Sequence, residues 1–146
     1  MTLKRIVLVE DNPHDLFLVK EALRARSIEA ELTCFSDIPE ALSALRDDNF
    51  PTPDAVLLDL NLPRGEGVEV LETVRHAPRM AGVPVAVLTS SESPRDRDRA
   101  SRLGISAYII KPVELDAFFE NVGSAVERLL SPRVGVGSSE VRGSSR

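Results

Sequence analysis

Residues 54–67 read DAVLLDLNLPRGEG, an apolar run that stops on Asp59 and passes at once into turn-forming residues. A short apolar run bounded by such punctuation has the length of a buried strand rather than of a helix. The carboxylate at its end admits three readings: a strand-terminating cap, a metal ligand or a nucleophile.

Four further segments of the same kind lie along the chain: RIVLV at 5–9, AELTCF at 30–35, VPVAVL at 83–88 and SAYII at 106–110. Helix-period stretches separate them. Their start signals are Asn12 before Pro13, Asp37 two residues before Pro39, and Ser93 before Pro94, with proline near the first helical position, where its missing N–H does no harm. Each strand thus feeds a helix. Such alternation predicts an α/β fold of the (βα)5 type: an open, doubly wound parallel sheet with helices on both faces.

The length of 146 residues suits one domain, enough to bury about two thirds of the unfolded surface. Residues 1–130 carry the periodic pattern. Residues 131–146, SPRVGVGSSEVRGSSR, lose it and fill with Gly, Ser and Arg, the composition of a disordered tail. With no apolar run near the ~20 residues of a membrane helix and no signal peptide, the expected location is cytoplasmic, away from membranes. The net charge of −5, from 23 acidic and 18 basic residues, argues against nucleic acid as a partner. Cys34 has no cysteine to pair with and is expected to be a small buried hydrophobe; His14 and His76 are expected in solvent.

In an open α/β sheet, function gathers at the carboxyl ends of the strands. Those ends here carry Glu10 and Asp11, Asp59, Thr89 and Ser90, and Lys111 before Pro112. Two carboxylates about 4 Å apart repel by roughly 4 kcal/mol at an effective dielectric near 20. The ammonium of Lys111 alone does not balance three of them. Hard oxygen ligands at this density suit Mg²⁺, and a carboxylate beside Mg²⁺ and a lysine is equipped to attack a phosphoryl group. Asp59 then reads as the nucleophile.

From about residue 4 to 130 the chain resembles the receiver domain of two-component response regulators. The resemblance rests on ED at 10–11, DLNLP at 59–63, Gly67, LTS at 88–90 and YIIKP at 108–112, all in family order and spacing. It implies a flavodoxin-like sheet of order 2-1-3-4-5 with Asp59 as phosphoacceptor. Mg²⁺ would be held by Asp11, Asp59 and the backbone carbonyl of Asn61, with Glu10 acting through water. Thr89 and Lys111 would hold phosphoryl oxygens, Thr89 and Tyr108 would form the switch, and the Lys111–Pro112 bond would be cis. Asn61 and Ser91 would flank the path of the water that removes the phosphate. Glu10 departs mildly from the aspartate that many members carry. The opening VEDNPHDLFLVKEAL at 9–23 also resembles single-domain regulators that serve phytochrome-type photoreceptor kinases.

The implied function is that of a phospho-accepting signalling switch rather than an enzyme on an external substrate, working with a sensor histidine kinase or phosphotransfer protein, a bacteriophytochrome among the candidates. A phosphatase of the haloacid dehalogenase kind needs a second acid two residues after the nucleophile, where this chain has Asn61; a pseudo-receiver would lack the intact cluster. Phe17 points away from the apolar face of the first helix and, near the rim where a kinase docks in the family, is a candidate docking residue. The segment PRDRDRASRLG at 94–104 has only Ala100 and Leu103 to bury, which predicts a weakly anchored, mobile helix. In ELDAFFENVGSAVERLL at 114–130 the apolar arc spans roughly 140°, wider than the ~100° a helix on a sheet requires. The surplus predicts a homodimer margin led by Phe118 or Phe119.

Overall fold

The computed structural model describes residues 3–131; the sequence expectation for a tail over 131–146 falls, after Ser131, outside them. Five strands and five helices alternate: β1 (Lys4–Val9), α1 (Pro13–Ala25), β2 (Ala30–Phe35), α2 (Ile38–Leu45), β3 (Ala55–Leu58), α3 (Gly67–His76), β4 (Val85–Thr89), α4 (Pro94–Arg102), β5 (Ala107–Ile110) and α5 (Leu115–Leu130). The strands form one parallel sheet in the order β2-β1-β3-β4-β5, the flavodoxin-like winding that the motifs implied. The three polar start signals work as N-caps. Asn12 accepts the N–H groups of His14 and Asp15, Asp37 that of Glu40, and Ser93 that of Asp96.

Side chains alternate across each central strand and so divide the core in two. Ile6, Leu8, Ala55, Leu57, Ala86 and Leu88 pack with Val19, Ala22 and Leu23 of α1 and with Phe118, Val122, Val126 and Leu129 of α5. Val7, Val9, Val56, Leu58, Val85 and Val87 pack on the other face with α2 and α3, joined by Ala100 of α4. Burial on both faces explains why these strands read as unbroken apolar runs. No helix among the described residues is long and apolar enough to cross a membrane.

Three expectations are corrected. Cys34 is exposed, because β2 is an edge strand and has a neighbour on one flank only. The Lys111–Pro112 bond is trans, as no peptide bond among the described residues is cis; trans is the form an X–Pro amide prefers by about 0.5–1 kcal/mol. Phe118 is 2 % exposed and sits in the α1–α5 core, so it does not lead a margin open to a second copy.

Candidate functional site

The alternation that builds the core also aims the site. Glu10 continues the series of Ile6 and Leu8, Asp59 that of Ala55 and Leu57, and Lys111 that of Ala107 and Ile109, so all three emerge on the side covered by α1 and α5. The parallel ladder persists through them: Asp59 N–H donates to Val9 O at 3.0 Å and Lys111 N–H to Thr89 O at 2.8 Å. The geometry is therefore set by main-chain pairing before any charge acts.

Lys111 Nζ lies 2.8 Å from Asp59 Oδ2, 2.9 Å from Glu10 Oε1 and 2.7 Å from Asp15 Oδ2. The other oxygen of Asp59 accepts the N–H of Asn61 at 2.9 Å. Asp59 is 5 % exposed and Glu10 1 %. Burial pushes the Glu10 carboxyl above its usual range, against the pull of Lys111 and of the Asn12 N–H. For Lys111 burial lowers the pKa, but hydrogen bonds to Asp15, Asp59 and Glu10 outweigh it and the ammonium is held more firmly than usual. Asp11 is exposed at the mouth, yet it brings an oxygen to within 4.8 Å of oxygens of Glu10 and Asp59.

This donor set fits a hard divalent cation. Glu10 Oε1 is buried and, apart from its ion pair with Lys111, has no well-aligned hydrogen bond. Oxygens of three carboxylates, Glu10, Asp11 and Asp59, lie within 4.8 Å of one another, and an all-oxygen cluster of that charge is what Mg²⁺ or Mn²⁺ binds.

Thr89 ends β4, fully buried. Its Oγ1 accepts the side-chain amide of Asn61 at 3.4 Å and the N–H of Ser91 at 3.2 Å. Both bonds use the oxygen, which leaves the hydroxyl proton for another acceptor. Asn61 and Thr89 are thus brought together.

A family model described as the response regulator receiver domain matches residues 6–123. The chain belongs to the receiver-domain family. The response regulator Rcp1 of Synechocystis sp. is 37 % identical over 123 residues, 82 % of this chain and 84 % of that protein. Two solved structures are similar throughout. The phosphorylated cyanobacterial phytochrome response regulator RcpA has 36 % identity and a TM-score of 0.81, covering 89 % of this chain and 96 % of that one. The Mn²⁺-bound form of Rcp1 has 34 % identity and a TM-score of 0.80, covering 90 % and 97 %.

Around the acidic pocket the receiver domain places its remaining candidates unequally. Tyr108 is half-buried; its hydroxyl donates to Ser91 O at 3.2 Å, and Arg97 of α4 stands 5.2 Å above its ring. Burial raises its pKa. Ser91 Oγ donates to Asp96 Oδ2 at 2.6 Å, so its hydroxyl is committed to the first turn of α4. Phe17 is 57 % exposed. On α5, Phe119 is partly buried against the α1–α5 core, whereas Leu115 is 52 % exposed. His14 and His76 are exposed.

Sequence reasoning missed Asp15. The visible signal was a carboxylate in the first turn of a helix beginning at the site, a position that the helix dipole alone explains. It also missed the ion pair of Glu66, which precedes α3, with Arg99 of α4 at 2.7 Å.

Proposed function

We propose that this receiver domain accepts a phosphoryl group on Asp59 from a phosphohistidine of a sensor histidine kinase or phosphotransfer protein, and signals through its own surface. The observation that carries the reading is the buried Asp59 carboxylate with Lys111 Nζ 2.8 Å away and Glu10 and Asp11 beside it.

An oxygen of Asp59 attacks phosphorus, the phosphorus–nitrogen bond breaks, and the donor imidazole, protonated on its other nitrogen, leaves with the bonding pair as a neutral ring. Charge on the transferring oxygens is met by the Lys111 ammonium and by the free proton of the Thr89 hydroxyl. Mg²⁺, held by Asp11, Asp59, the backbone carbonyl of Asn61 and, through water, Glu10, would supply further neutralisation of those oxygens. Water later cleaves the acyl phosphate, and Asn61 and Ser91 set part of its lifetime.

Thr89 and Tyr108 form the switch, with the surface of α4 and β5 as its output. The likeness to RcpA supports a phytochrome-type kinase as the phosphoryl donor, with Phe17 at its docking rim. A homodimer through α5 would use Leu115 and Phe119, since Phe118 is committed to the core. Light scattering of the wild type and of Phe119→Asp tests that arm: a monomer at micromolar concentration, with and without a phosphate mimic, would refute it.

Treatment with acetyl phosphate and Mg²⁺, read by intact mass, tests the main proposal. The chain should gain one phosphoryl group, and Asp59→Asn should gain none. Uptake by Asp59→Asn equal to the wild type, or unchanged uptake after chelation, would refute it.

A further inference from the structure

The ammonium of Lys111 has three N–H bonds and meets three carboxylates: Asp59 Oδ2 at 2.8 Å, Glu10 Oε1 at 2.9 Å and Asp15 Oδ2 at 2.7 Å. These partners are not equivalent during a phosphoryl-transfer cycle. Asp59 turns from an anion into an acyl phosphate and becomes a poorer acceptor. Glu10 belongs to the oxygen cluster that suits a divalent cation. Asp15 takes no part in either event. It stands in the first turn of α1, whose start is fixed by Asn12 Oδ1 accepting the N–H groups of His14 and Asp15 at 2.9 and 3.3 Å. The body of the helix is fixed by Val19, Ala22 and Leu23 in the core. The side chains of Asp15 and Lys111 are only 16 % and 12 % exposed, so their contact is largely shielded from water.

Resting on the phosphoacceptor reading, we infer that Asp15 is a positioning residue: it holds the Lys111 ammonium from α1 throughout the cycle, so that the N–H released by Asp59 is already aimed at the incoming phosphoryl oxygen. A flexible lysine left to Asp59 and Glu10 alone would lose its fixed point when one is phosphorylated and the other is engaged by the cation. Misplacing a group that stabilises developing charge lowers the rate of the transfer step more than it weakens donor binding.

A purely electrostatic role for Asp15 predicts the opposite sign. Removing one negative charge beside a site that receives an anionic donor would speed phosphorylation. The experiment compares wild type, Asp15→Ala, Asp15→Asn and Asp15→Glu in two readouts. In the first, the maximal rate and the half-saturating concentration for acetyl phosphate are followed by intact mass at saturating Mg²⁺. Asp15→Ala should lower the maximal rate about tenfold with the half-saturating concentration little changed. Asp15→Asn, which keeps an acceptor oxygen in place, should fall between, and Asp15→Glu should recover part of the rate. In the second, cation-free protein is labelled with trace acetic anhydride, and modification of Lys111 is measured against exposed Lys20. Labelling of Lys111 should rise several-fold in Asp15→Ala. A rate in Asp15→Ala equal to or above that of wild type, or unchanged Lys111 labelling, overturns the proposal. A wild-type chain that takes up no phosphoryl group instead overturns the phosphoacceptor reading, and the mechanistic inference with it.

Discussion

At Gly67 the chain has no room for a side chain. A Cβ there would lie 2.6 Å from Leu60 Cα, 2.9 Å from Leu60 O and 3.0 Å from Asp59 O. All three are backbone atoms of the segment that carries Asp59, and backbone cannot swing aside as a side chain can. Gly67→Ala should therefore cost about 1–3 kcal/mol by overpacking, measured by urea denaturation, and should slow phosphorylation of Asp59 as well. A variant with wild-type stability would show that the loop relaxes freely. The residues that sequence revealed at the site share one property: Glu10, Asp59, Thr89 and Lys111 all sit at strand ends, where winding alone brings them together. Asp15 was not legible. Its partner is 96 residues away, and a helix position reaches a strand end only once the angle of the helix on the sheet is known. Cys34 was misread for a related reason. AELTCF has the same local pattern as a buried strand, and only the strand order makes it an edge.

Among the elements, α1 and α5 are joined by Arg26, just past the end of α1, which donates to Glu120 at 2.9 Å and to Glu127 of α5. Gly123 makes the space for it: a Cβ there would meet Arg26 Cδ and Nε at 2.6 Å. Exchanging a glycine for alanine inside a helix ordinarily stabilises by about 1 kcal/mol. Here Arg26 must shift to admit the new methyl group, which strains both bonds, so Gly123→Ala should gain less in the wild type than in an Arg26→Ala background. A double-mutant cycle by denaturation measures that difference; additive effects would sink the account. The sparse burial of α4 was legible, since PRDRDRASR offers only Ala100 for full burial. The sequence showed the cap at its start and hid how its other end is fixed. Ser93 caps the start, while Arg75 Nε and Nη2 donate to Leu103 O at 2.7 Å and Gly104 O at 3.0 Å just past the end. A helix held by polar bonds at its ends rather than by burial should open locally. Its amides should exchange with deuterium well before those of β3, and protection equal to that of β3 would contradict this.

For the whole molecule, the acidic pocket sets a cost in stability against function. The sequence showed three of the carboxylates and one ammonium, and the fold adds Asp15, so the pocket remains strongly negative in a chain whose net charge is already −5. Holding these anions together opposes folding unless a cation joins them. Because the unfolded chain disperses the carboxylates, Mg²⁺ should bind the folded state selectively, and at ten times its dissociation constant it should add about 1.4 kcal/mol to stability. Asp11 is the cleanest probe, since it is exposed and makes no ion pair with Lys111. Without divalent cations, Asp11→Asn should melt above the wild type, because one repelling charge is gone. With Mg²⁺ the wild type should gain several degrees and the variant much less, so that the gap between them closes or reverses. Thermal melts in chelator and in Mg²⁺ decide it. An Asp11→Asn chain that melts below wild type in chelator, or that gains as much from Mg²⁺, would show that the repulsion is relieved elsewhere and that Asp11 does not hold the cation.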